Sequence, residues 1–162
     1  MAYNLDKRSA ETEERRAMEK KALKINLDEL CEAMEDSSYE REYYLDLKTG
    51  EVLFVSDYTD DEETEKLKDR VEKDFDRYEH VPKAESREGY EDMVDFIATI
   101  EDERLAELLE VAISGKGAFG RFKDVLLNYS EARERWFEFK NDRMRERARE
   151  WLDDINVTLS GE

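Results

Sequence analysis

Apolar side chains recur every three or four residues through most of this chain and alternate with polar ones over one short stretch. The helical spacing is clearest from Ser86 onward. Tyr90, Met93, Val94, Ile97 and Ile100 predict one helix, and Leu105, Leu108, Leu109, Ala112 and Ile113 predict the next, stopped at Ser114-Gly115. Phe119, Phe122, Val125 and Leu126 define a short third helix. Asn128 with Glu131, or Ser130 itself, caps a last one running to about Asp154, with Ala132, Trp136, Phe139, Met144, Ala148, Trp151, Leu152 and Ile155 facing inward. Upstream, Tyr43, Leu45 and Leu47 alternate with Tyr44 and Asp46, Lys48-Thr49-Gly50 supplies a turn, and Val52–Val55 returns as a second strand. Arg77 to Val81, ending at Pro82, predicts a short third strand, and Pro82 suits a sheet edge or a strand end.

Two capping patterns open further helices. Asn26 with Glu29 precedes a helix burying Leu27, Leu30, Cys31 and Met34, and Thr59 with Glu62 opens one to about Lys73, with Leu67, Val71 and Phe75 as its buried positions. Ser9 to Lys24 is rich in helix formers, but only Ala17, Met18, Ala22 and Leu23 are apolar, so this helix is marginal alone and suits a frayed arm or a partner-packing segment. Residues 1–8 show no periodicity. The expected organisation is a charged helical arm over 1–25, a single α+β domain over 26–157 and a tail over 158–162. The fold class is α+β: a small N-terminal hairpin or three-stranded antiparallel sheet packed against a mostly helical C-terminal layer.

Composition narrows the class. The 162 residues hold one Cys, which excludes an intrachain disulfide framework, and one Pro with six Gly, which excludes collagen-like or Pro/Gly-rich chains. No apolar run approaches the roughly 20 residues of a membrane span. The N-terminus MAYNLDKRSAETEERR lacks the apolar core of a secretory signal, so a cytoplasmic location is expected. The net charge of −18 opposes nucleic acid and anionic membranes at long range. That charge is uneven: residues 115–149 carry ten bases and six acids, a local +4, which leaves −22 on the rest.

Several constellations invite a chemical reading. Gly115, Gly117 and Gly120 satisfy GxGxxG, but a helix precedes them where a dinucleotide fold needs a strand, so a helix stop and an inter-helix corner is the better account. Lys116, Arg121 and Lys123 beside a helix N-terminus also make a physically sound phosphate cradle. Arg143, Arg145, Arg147 and Arg149 alternate along the last helix, interspersed with acids that dilute their field. His80, the sole histidine, lacks oriented partners for catalysis, and Cys31 lies on an apolar helical face. Asp57, Asp60, Asp61, Glu62 and Glu63 complement a helix dipole without needing a metal. Trp136 and Phe139 share a core face, whereas Phe137 is turned by about 100° and, beside Arg133 and Lys140, offers a contact for a protein partner.

The stretch 115-GKGAFGRFKD-124, followed by Trp136-Phe137-Glu138-Phe139 and then Trp151-Leu152, resembles the uncharacterised bacterial protein family 0158 (UPF0158). The upstream order is similar too: Leu27-Asp28-Glu29-Leu30, the hairpin, then Val81-Pro82. The resemblance covers about residues 27–157 and implies a small bacterial cytoplasmic protein. It brings no accepted activity, cofactor or catalytic residue.

The residues therefore predict a non-enzymatic protein-interaction, adaptor or regulatory module, with a protein partner or itself as a homodimer. No cofactor or metal is expected. The alternative is a nucleic-acid or phosphoanion binder using 115–149. Tentative binding residues are Lys116, Gly117, Arg121, Lys123, Phe137 and Lys140. An enzyme would need a concave pocket with convergent acids, and Asp124 beside Lys116 and Arg121 is the first place to look.

Overall fold

A computed structural model describes residues 20–58 and 61–160. Among these are five strands, β1 (Lys21–Leu23), β2 (Arg41–Asp46), β3 (Val52–Ser56), β4 (Tyr78–His80) and β5 (Val157–Leu159). There are six helices, α1 (Leu27–Glu35), α2 (Glu62–Lys73), α3 (Ser86–Ala98), α4 (Glu103–Ala112), α5 (Ala118–Leu126) and α6 (Ser130–Asp154). The fold is α+β. Packing divides the chain into two compact units: one holds the described residues up to Lys83 and those from Arg147 on, the other Ala84–Glu146. The boundary falls inside α6.

In the first unit, β2 is the centre of an antiparallel sheet ordered β3-β2-β4, with Tyr43 opposite Phe54 and Tyr44 opposite both Leu53 and His80. The turn expected at 48–50 forms there. Asp46 Oδ1 accepts from Lys48 N at 2.9 Å, Gly50 N donates to Asp46 O at 2.8 Å, and Gly50 takes φ +81°. A Cβ at Gly50 would lie 2.4 Å from Lys24 O, so the turn packs directly on the chain leaving β1. Asp46 is buried, and Arg77 grips both its oxygens, at 3.0 and 2.8 Å. These bonds hold its carboxyl well below the usual range, at about 2.

Helix α1 starts as its sequence demands, with Asn26 Oδ1 accepting from Asp28 N and Glu29 N, and it buries Leu30, Cys31, Ala33 and Met34. Helix α2 differs from expectation. Its cap is Asp61, whose side chain accepts from Thr64 N, while Thr59 lies outside the described residues. None of its residues is buried, and Phe75, expected inside, is 74% exposed. Its many charges leave Leu67 and Val71 as too narrow a stripe to be covered.

The terminal segments also differ. Of the helix expected over 9–24, only residues 20–24 are described, and there 21–23 form a strand instead; the rest lies outside the described residues. This β1 pairs parallel with β5, Lys21 opposite Val157 and Leu23 opposite Leu159, so part of the expected tail is a strand as well. Ser160 N donates to Leu23 O at 2.9 Å, and Ile25 and Val157 are buried.

The second unit is helical, and its four helices match the expected spans. Met93, Phe96, Ile97, Leu105, Leu109, Ile113, Ala118, Phe122, Leu126 and Trp136 form its core. Phe96 is the hub. Its ring meets Phe122 at 6.3 Å, Trp136 at 5.3 Å and Phe139 at 5.5 Å, in edge-on and tilted arrangements that aromatic quadrupoles favour. Tyr90, Val94, Leu108 and Phe119, expected to face inward, are partly exposed instead. The inward face of α3 is centred on Met93, Phe96 and Ile97.

Candidate interaction surface

The glycine segment is a corner between α4 and α5. Gly117 precedes α5 with φ +78°, a conformation that L side chains rarely adopt. Arg121 turns back across the corner. Its Nε donates to Ala112 O at 2.9 Å and its Nη2 to Ser114 O at 2.6 Å, so the guanidinium caps the carbonyl end of α4. It lies so close to Gly117 that a Cβ there would sit 3.2 Å from Nη1. The corner thus brings Gly117 and Arg121 together but directs the arginine at protein carbonyls. Lys116, Lys123 and Asp124 are exposed, and no side-chain hydrogen bond or ion pair joins Asp124 to Lys116 or Arg121.

The arginines of α6 are similarly engaged. Arg143 pairs with Asp95 at 3.0 Å and lies over the Phe139 ring at 5.0 Å. Arg135 donates to Thr99 Oγ1 at 3.3 Å and lies over Phe96. Arg145 meets Asp142 at 3.8 Å, and Arg147 and Arg149 also have partners.

One exposed stretch of α6 differs. Phe137 is 42% exposed, with the Arg133 guanidinium 5.4 Å and the Lys140 ammonium 5.9 Å from its ring centroid. Among the described residues neither cation is paired with a carboxylate. The structure therefore brings Phe137 and Lys140 together with Arg133, on an element separate from the corner. Val111 and Leu127 are further exposed apolar side chains of this unit that spacing did not single out. They fall off the stripes that define the buried faces, and that was the available signal.

An open depression of about 620 Å³ in the helical unit is lined by Thr99, Asp102, Tyr129, Glu131 and Arg135 among others. The carboxyls displaced in pKa lie elsewhere. Asp36 is lowered by the Tyr43 hydroxyl, Asp46 by Arg77 and Asp61 by Thr64, all through hydrogen bonds internal to the fold. His80 is exposed on β4, bonded to Glu42 and edge-on to Tyr44, and Cys31 is buried. Among the described residues no group of three or more His, Cys, Asp or Glu is placed to hold a metal ion, and no helix is long and apolar enough to cross a membrane.

The sequence pattern of the uncharacterised protein family UPF0158 matches residues 20–161. The chain belongs to that family. The UPF0158 match is wider than the resemblance over 27–157 and takes in both β1 and β5, the pair that joins the two ends of the described chain. A "UPF0158 protein" of Pseudomonas aeruginosa is 29% identical over 133 residues, 82% of this chain and 84% of that protein. Another, of Chlamydia trachomatis, is 30% identical over 124 residues, 76% of this chain and 38% of that protein, and one of Chlamydia muridarum is alike. The chain thus spans less than half the length of its chlamydial UPF0158 relatives. No solved structure matches it.

Proposed function

We propose that this chain is a non-enzymatic protein-interaction module, an adaptor or regulatory component of the bacterial cytoplasm that associates with itself through its helical unit. The observation that carries this reading is Phe137, exposed between two cations that no carboxylate in the described chain neutralises. Aromatic and arginine side chains are enriched at protein interfaces. The alternative, a nucleic-acid or phosphoanion binder, draws on the same basic segment. Its strongest donor, Arg121, caps α4, which leaves Lys116 and Lys123 as exposed cations of the corner without an ion pair among the described residues.

Light scattering over a concentration series, paired with a titration against single-stranded RNA at low and high salt, tests the choice. The proposal expects a mass above the monomer and no RNA binding. A strict monomer that binds RNA with an affinity falling steeply with salt, and that weakens on Lys116→Ala, overturns it.

A further inference from the structure

We propose that a hollow of about 710 Å³ in the first unit binds a linear aliphatic polyamine, with methylenes against its apolar lining and ammonium groups on its carboxylates. Every residue lining the hollow belongs to that unit, so this inference is independent of the self-association proposed for the helical unit.

The hollow forms where two chain segments leave their helices. Helix α6 ends at Asp154, and Asn156, at φ +59°, turns the chain into β5, its carbonyl accepting from Lys21 N at 3.1 Å. Residues 154–157 make one border. The other runs from the end of α2 into β4 and carries Phe75, Asp76 and Glu79. Leu47, Ile155 and Val157 supply the apolar lining; Val157 is buried and the other two are half-buried. Phe75 stands at the border with most of its surface in solvent. An exposed ring attracts an ammonium group through its face, and methylenes laid on the lining leave water.

Charge selects the occupant. Asp76, Glu79 and Asp154 line the hollow against a single base, Lys21. Among the described residues none of these three carboxylates forms an ion pair or a side-chain hydrogen bond, whereas the neighbouring Asp153 meets Lys20 at 3.7 Å. The lining therefore favours a cation, and the net −18 of the chain draws one in from a distance. A metal ion needs several oxygens converging on one point, and among the described residues no three acidic groups are placed that way. Spread carboxylates around an apolar lining suit a cation that is itself spread, with charges separated by methylenes. The volume is that of a small-molecule site. Phosphates and nucleic acid carry the wrong sign.

The test is calorimetric titration of the full chain with spermidine at low salt, with magnesium chloride and a tetralysine peptide titrated in parallel. The proposal expects spermidine to saturate at about one per chain, with a dissociation constant at least about tenfold below that for magnesium. Glu79→Gln and Asp154→Asn should each weaken spermidine binding by about fivefold, and Phe75→Ala by about threefold. Glu62→Gln and Glu63→Gln, which make the same change in net charge at the other end of α2, should leave it unchanged. Circular dichroism confirms that each variant is folded. Equal weakening by all four carboxyl variants means general counterion accumulation and overturns the site. Tighter binding of tetralysine assigns the hollow to a basic protein segment and overturns the polyamine. Spermidine binding that is no tighter than magnesium, or absent up to about 1 mM, overturns the proposal outright.

Discussion

Gly50 shows how one atom decides a fold locally. Its φ of +81° suits glycine, and the space a Cβ would fill is taken by Lys24 O at 2.4 Å. Neighbouring backbone cannot swing aside as a flexible side chain could. Gly50→Ala should therefore cost at least about 2 kcal/mol, read as a lowered urea midpoint. Asp46 acts through charge. Its carboxyl is held at about 2, below its ordinary 3.8, by the Arg77 guanidinium. The contribution is complete above the unfolded pKa and drains away as pH falls from about 4 toward 2. Denaturation midpoints at pH 6, 4 and 2.5 should show that decline, and Asp46→Asn should flatten it while lowering stability at neutral pH. At this scale the sequence was partly legible. Gly50 stood out as a turn glycine, whereas the pairing of Asp46 with Arg77 joins residues far apart in the chain and left no local signature.

At the scale of elements, helix ends carried the most information. Asn26 caps α1 as its spacing with Glu29 implied, and Asp102 caps α4 by accepting from Arg104 N and Leu105 N. The hairpin and α3 through α6 were legible because period and punctuation agreed there. Helix α2 was found, but Phe75 was misassigned, because the helix ends at Lys73 with Asp74 as its cap and Phe75 lies beyond it, exposed. Strand β1 was unreadable. Lys21-Ala22-Leu23 are helix formers, and only the distant β5 makes them a strand. The α4–α5 corner yields a sharp contrast. Arg121→Ala removes the cap on Ala112 O and Ser114 O and should lower stability by about 1 kcal/mol, whereas Lys116→Ala should leave the melting temperature unchanged. Thermal melts of both variants with and without phosphate check this. An arginine serving a phosphate cradle would instead show its effect only with the anion present.

Across the whole molecule, net charge governs how copies meet. A net −18 makes them repel beyond the local attraction of any one face. Lowering the pH from 7 toward the acidic isoelectric point should strengthen self-association, and light scattering across that range should show a rising mean mass. Modest salt at neutral pH screens that repulsion. The local excess of bases over 115–149 was legible as a number, but its meaning was not. Arg121 engages carbonyls, Arg143 engages Asp95 and Arg135 engages Thr99, whereas among the described residues Arg133 and Lys140 beside Phe137 pair with no carboxylate.

By itself the sequence determined the Asn26 cap, the hairpin turn, the four C-terminal helices, the α+β class and the family resemblance. Each of these depends on residues within a few positions of one another, or on a pattern of such pieces. Only the tertiary structure decided that the two ends of the described chain pair as strands, that Phe96 lies at the centre of the helical core while Tyr90 and Val94 are partly exposed, and that the arginine of the glycine corner turns back onto helix carbonyls. Those outcomes depend on which distant groups are brought within hydrogen-bonding or van der Waals reach, and distance through space is not written in distance along the chain.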